Sequence, residues 1–251
     1  MYDDGQSREF GEPLEDDAAP IWRYVSLPML LQMLQTRTLF FPSIATLAKT
    51  DSWEGHWYSD EAPIVRSGIM NKMEKDLALS PESEGEGKRT PLETIDFPAN
   101  MQALIAKSVY VNCWHRNSGE SAAMWAIYGR KHGIAIQSSI GLLKSALAVE
   151  ERPVAIVRVQ YGSSLGMADP SIGIALRKRN SFSHEQEIRA MVVVEPSNEV
   201  GIPVKVDLNI LIEQLYLWPL APPWMLEVLK AEVRLHDLHK PIKKSPLYDP
   251  A

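Results

Sequence analysis

Residues 108–149 read SVYVNCWHRNSGESAAMWAIYGRKHGIAIQSSIGLLKSALAV, and the spacing of their apolar side chains changes repeatedly along the stretch. SVYVNCW, Ser108 to Trp114, is β-branched and aromatic with no charge, the composition of a central strand. In SAAMWAIYG, Ala122, Met124, Trp125 and Tyr128 crowd one side at helical spacing, with Ser118 the expected cap and Gly133 the expected left-handed stop. GIAIQSS returns to strand patterning and IGLLKSALAV to a helix. Strands and helices interleave without a regular βαβ rhythm and without a GxGxxG turn, which argues against a Rossmann domain. The fold expected is α+β: a single mixed, mostly antiparallel sheet with helices packed on it around one core.

The flanking sequence extends this pattern. IWRYV, Ile21 to Val25, alternates as a first strand with Trp22 and Tyr24 on one face and Arg23 on the other. Ser26 is placed to cap a helix with Pro28 in its first turn, and Leu27, Leu30, Leu31 and Leu34 form its buried stripe. Leu39 to Phe41, closed by Pro42, is a second short strand. Helical patterning is expected around Met70 to Leu79 and Met101 to Lys107, strands over PVAIVRVQY, QEIRAMVVV and VKVDL, and a short helix near Ser171 to Arg179. PPWMLEVLKAEVRLHDL reads as a closing helix, opened by Pro222 and Pro223. Residues 1–19 have the composition of a flexible acidic tail, and 20–251 of a single domain with a flexible insertion at about 60–98, centred on SPESEGEGKRTP.

With 251 residues the chain is long enough for a core without staples, and its single cysteine, Cys113, excludes a disulfide framework. No run of eighteen apolar residues exists and the N-terminal stretch is acidic, so a cytoplasmic protein with no membrane segment is expected. A net charge of −6 argues against a generic nucleic-acid binder. HExxH, GxxxxGK[ST] and GxSxG are absent, and no metal is expected, since the one close histidine pair, His236 and His239, has no companion ligands nearby.

The densest polar stretch is RKRNSFSHEQEIRA, residues 177–190. Extended backbone from Glu185 onward places Glu185, Glu187 and Arg189 on one face. Neighbouring carboxylates raise each other's pKa and a guanidinium opposes the shift, so the row is either a tuned acid pair or a solvated ion-pair strand. Two further clusters stand out. Asp51, Trp53 and Glu54 lie in DSWEG after the second strand, and Trp125 and Tyr128 are spaced to wall a planar ring or to fill the core.

Taken in order, IWRYVSL, LFF, the DxxE of Asp51 and Glu54, CWHRNSGESAAMWAIYGRKHGIAIQSS, KRNSFSHEQEIRA and the closing LYLWPLAPPWM and SPL resemble the bacterial domain of unknown function family 2971, over residues 21 to 246. A more distant likeness is to ADP-ribosyltransferase folds: an Arg on the first strand, a central strand ending in Ser, and a late E-x-E. That resemblance implies an NAD-binding protein acting on a macromolecular acceptor, protein or nucleic acid, in a toxin or phage-defence setting. It implies that Arg23, with Tyr24, anchors NAD and that Ser138 or Ser139 lines the nicotinamide site. Glu187 would be catalytic and Glu185 would orient the acceptor, with Trp125 or Tyr128 stacking on the base and Trp114, Arg189 and the DSWEG residues completing the pocket. QSS in place of Ser-Thr-Ser, and Arg189 after E-x-E, depart from that pattern. The rival reading is a non-catalytic ligand- or partner-binding module in which Arg23, Glu54, Glu187 and Arg189 form a structural network.

Overall fold

Small hydroxyl and carboxylate side chains stand where strands give way to helices, and they satisfy the free amides of each new helix. The computed structural model describes residues 14, 16–56, 97–129, 132–162 and 173–249. β1 (Pro20–Ser26) runs into α1 (Leu27–Thr36), where Ser26 Oγ accepts from the Met29 amide. β2 (Thr38–Pro42) is followed by α2 (Ile44–Leu47), capped by Ser43. α3 (Phe97–Ser108) enters β3 (Val109–Arg116), and α4 (Ala122–Met124) continues as a π-helical turn, Trp125–Gly129. β4 (Gly133–Ser139) leads into α5 (Ile140–Leu147), capped by Ser139. β5 (Ala155–Arg158), β6 (Gln160–Tyr161), β7 (Arg177–Lys178) and β8 (Glu187–Val193) follow, with 3₁₀ turns at Gly173–Ala175 and Asn180–Glu185. The chain closes with β9 (Gly201–Lys205), α6 (Leu208–Leu211), β10 (Gln214–Leu217), α7 (Pro223–Leu235) and β11 (Ile242–Lys244).

Seven strands form one sheet in the order β11-β10-β4-β1-β3-β8-β5, antiparallel except for the β10–β11 pair. The α+β architecture is therefore the one the sequence predicts. Alternation sends Ile21, Val25, Tyr110, Trp114, Ile136 and Ile188 to a face covered by α1, α5 and α7. The opposite face carries Val109, Val111 and Met191 under α2 and α3, and Trp22, Tyr24, Ala135 and Tyr216 against Met124 and Trp125. Each large apolar side chain so buried contributes roughly 1.5–3 kcal/mol.

One irregularity positions the site. β1 pairs with β4 along its length, from Pro20↔Ser139 to Ser26↔Gly133, but with β3 only at Ile21↔Arg116 and Trp22↔His115. Past Trp22 the two strands part, and the sheet opens between them.

Several local expectations are corrected. Ser121, not Ser118, caps α4, because its Oγ is the one within reach of the Met124 amide. His132 takes the left-handed conformation (φ 68) and Gly133 has already entered β4, where a Cβ would lie 1.8 Å from the Gly129 carbonyl oxygen. PVAIVRVQY divides into β5 in the main sheet and β6 paired with β7, and Arg177 and Lys178 are strand, not helix. β10 and β11 go unread because they are short and lie among prolines. His236 is the C-cap of α7, where the helix ends before His239. Of the stretch read as a tail, Asp17 and Ala19 accept from the Gly141 and Ile140 amides at the start of α5. The helical piece at Met70 to Leu79 and the SPESEGEGKRTP loop lie outside the described residues. Among the described residues no helix is long and apolar enough to cross a membrane.

Candidate functional site

The split between β1 and β3 opens into a cavity of about 300 Å³, at the lower end of ligand-site volumes. Its walls include Trp22, Arg23 and Tyr24 of β1, Cys113 to His115 of β3, Tyr128, and a charged end formed by Lys178, Glu185 and Glu187.

Alternation assigns Arg23 to the α1 face and Glu187 to the other, yet both reach the cavity. Because β3 has departed at this level, the guanidinium enters the gap and its Nη1 donates to the Cys113 carbonyl oxygen at 2.5 Å. Among the described residues its Nε has no hydrogen-bond partner. Burial lowers the Arg23 pKa, with Cys113 and Glu187 opposing the shift, and the group stays a cation throughout.

The acidic end is a chain of alternating charges. Glu187 Oε1 accepts from Arg189 Nε at 2.7 Å and Oε2 from Lys178 Nζ at 2.9 Å, while its amide donates to the Tyr161 hydroxyl. Arg189, 0% exposed, also pairs with Glu54 at 2.7 Å and donates to the Ala175 carbonyl. Lys178 Nζ reaches Glu185 Oε2 at 2.5 Å, and Glu185 Oε1 accepts from the Tyr128 hydroxyl at 2.7 Å. Burial pushes the Glu187 carboxyl up, but the Arg189 and Lys178 charges outweigh it and hold the group down at about 2. The carboxylates raise Lys178 above its ordinary range despite burial, and burial with the Glu185 bond raises Tyr128. Burial and the Glu187 charge raise the Cys113 thiol, which is therefore no thiolate.

Glu185 is not part of the extended row. It ends a 3₁₀ turn, and Gln186 at φ 43 redirects the chain so that β8 starts at Glu187. The two carboxylates still converge because Lys178 binds both. Arg23, Tyr24, Trp114, Tyr128, Glu185 and Glu187 all line the cavity. Trp125 does not: it is 1% exposed behind Tyr24, edge-on to that ring at 5.0 Å, with Nε1 donating to Glu120. Ser138 and Ser139 are also elsewhere. Ser138 shares the α1 face with Ile136 and donates to the Leu211 carbonyl at 2.6 Å, while Ser139 caps α5. Asp51 pairs with Arg179 at 3.0 Å and Trp53 packs on the same guanidinium, both in a smaller hollow beside the site. Glu54 and Arg189 stand behind Glu187 as its support.

Sequence alone does not place Lys178 or His115 in this cavity. In the RKR run Arg177 is buried, Lys178 is held by two glutamates and Arg179 by Asp51. Among the described residues no group of three or more His, Cys, Asp or Glu side chains is placed to hold a metal ion.

No family model matches the chain, that of family 2971 included, and no curated protein matches it. Solved structures similar to it are those of Thermus sp. 2.9 DarT. With ADP-ribosylated ssDNA the TM-score is 0.41 at 10% identity, over 91% of this chain and 94% of that one. With NAD+ it is 0.40 at 10% identity, over 92% and 96%, and with carba-NAD+ 0.39 at 10%, over 91% and 96%. Likenesses this distant assign the chain no activity.

Proposed function

We propose that the cleft between β1 and β3 binds NAD and that the protein transfers its ADP-ribosyl group to a macromolecular acceptor. The observation that carries this reading is an ionised carboxylate, Glu187, fixed in the wall of an aromatic cavity that also receives the Arg23 guanidinium. The residues suit the ligand. Trp22, Tyr24 and Tyr128 offer apolar surface to a planar ring, the volume admits a ring with its sugar, and the Arg23 guanidinium brings a cation to it for a phosphate oxygen. NAD supplies a glycosidic bond to a pyridinium ring: when it breaks, nicotinamide leaves neutral with the bonding pair and the ribosyl carbon bonds to the acceptor, which gives up a proton. Glu187 stabilises the positive charge that develops on the ribose, and because it is already oriented it needs no reorganisation at that moment. Glu185, held by Tyr128 and Lys178, is the second carboxylate and faces the incoming acceptor.

Nicotinamide release tests the proposal. Glu187→Gln keeps the side chain's shape and removes its charge, so release should fall about 100-fold or more at temperatures where the variant is folded. No release by the unaltered protein, together with no heat of NAD binding, overturns the reading.

A second reading has one observation in its favour. Both Glu187 oxygens are already bonded to Arg189 and Lys178, as a purely structural network requires. In that case the cleft belongs to a binding module, and Glu187→Gln lowers the melting temperature of a protein that turns over no NAD.

A further inference from the structure

α7 (Pro223–Leu235) carries two apolar rows. Met225, Leu229 and Val233 are buried and hold the helix on the core. Trp224, Val228, Ala231 and Leu235 lie outside that row and are exposed, Trp224 at 60%, Val228 at 42% and Leu235 at 75%. Their spacing of four, three and four residues sets them in one line along the helix, at the a and d positions of a coiled-coil seam. Exposed apolar residues scattered singly are ordinary, but a continuous row of them marks a contact surface.

The charges beside the row select what covers it. With Val228 and Leu235 at a and with Trp224 and Ala231 at d, Glu227 and Arg234 occupy the two g positions and Glu232 an e position. Arg234 is exposed, as is the side chain of Glu227. A parallel copy of the same helix would set Glu227 against Glu232 of the other copy, where like charges repel. Turned antiparallel, g meets g, so Glu227 faces Arg234 of the other copy, and two-fold symmetry repeats the pair. The same register packs Trp224 on Leu235 and Val228 on Ala231, each twice. On the other flank Glu232 meets the position of Met225, which carries no charge.

We propose that α7 is a self-association surface, on which a second copy of this chain docks its own α7 antiparallel about a two-fold axis. The helix has 13 residues, a length of about 20 Å, so the seam is smaller than a standard interface and the dimer is weak, with dissociation in the micromolar range. No α7 residue lines the cleft between β1 and β3, and the inference stands apart from the NAD reading.

Sedimentation equilibrium of the full chain, loaded from about 5 to about 500 μM, brackets a micromolar association. The weight-average mass should rise from 28.2 kDa towards twice that value. Val228→Glu sets a charge in the middle of the seam at an exposed position, so it should hold the protein monomeric while its melting temperature at low concentration stays close to the parent's. Glu227→Lys and Arg234→Glu should each weaken the dimer by about threefold to tenfold, since each sets like charges opposite one another at two symmetric places. The double variant, Glu227→Lys with Arg234→Glu, should return to within about twofold of the parent, because the reversed charges again face their opposites. A mass that stays monomeric at the highest loading overturns the proposal. A dimer indifferent to Val228→Glu does so as well, since it must form elsewhere, and single reversals without effect, or a double reversal no better than the singles, overturn the antiparallel register.

Discussion

Arg189→Met removes the cation at the centre of the buried network while keeping an unbranched side chain of comparable length. Arg189 is 0% exposed and lies 2.7 Å from both Glu187 and Glu54, with a third bond to the Ala175 carbonyl. The variant leaves Glu54 without the charge it faces and Glu187 with Lys178 alone. Losing one partner of a buried ion pair costs about 3–5 kcal/mol, because a desolvated charge stays behind. The retained Lys178 contact keeps the loss near that of one pair, not two. At about 2–4 °C per kcal/mol for a chain of this size, the melting temperature should fall by roughly 6–20 °C. Urea unfolding followed by tryptophan fluorescence should show a lower midpoint at an unchanged slope. Adding Glu54→Leu to Arg189→Met should recover more than about 1 kcal/mol, since the second change removes the orphaned charge. A single variant within about 0.5 kcal/mol of the parent, or a double variant whose losses simply add, would refute this view of the network.

Three further outcomes follow from the same geometry. Glu187 is depressed from 4.5 to about 2 in the folded protein, so its contribution is fully present above 4.5 and is lost as pH falls through that window towards about 2. The urea midpoint at constant ionic strength should fall across that window, and less steeply in Glu187→Gln; equal slopes would count against the assignment. Trp125→Ala should cost about 3–5 kcal/mol as a core truncation, whereas Tyr128→Phe, at a side chain 46% exposed, should change stability by about 1 kcal/mol or less and act on ligand binding. Melting curves and NAD titrations separate the two, and the reverse pattern would place the wrong aromatic in the site. Gly133→Ala forces a Cβ to 1.8 Å from the Gly129 carbonyl oxygen, so the turn must rebuild and circular-dichroism melts should show a loss of about 1–3 kcal/mol or more; an unchanged melt would show that the two backbones do not approach so closely.

The strands and helices were legible wherever apolar spacing was sustained, as in residues 108–149, because period and burial are the same fact on a sheet with two covered faces. What failed was conformation at single residues. Gln186 in the left-handed region moves Glu185 off the strand, and nothing in its identity announces that. Two-residue β6 and β7 are too short to show a period, so nothing local marks Lys178 as the clamp between two glutamates. The resemblance implies a cavity role for both Arg23 and Ser138, and only Arg23 lines the cavity. The difference lies in where β1 leaves β3, a long-range pairing that local sequence does not encode. Tyr128 and Trp125 are three apart on one helical surface, but the π-helical turn and the packing of Trp125 on Tyr24 decided which became wall and which became core.

The most direct test is a crystal structure of the protein with a non-hydrolysable NAD analogue. The nicotinamide ribose should lie in the gap between β1 and β3 with its hydroxyls on Glu187 and the diphosphate on Arg23. An analogue bound elsewhere, or a gap that stays free of it at saturating concentration, would contradict the assignment of this cleft.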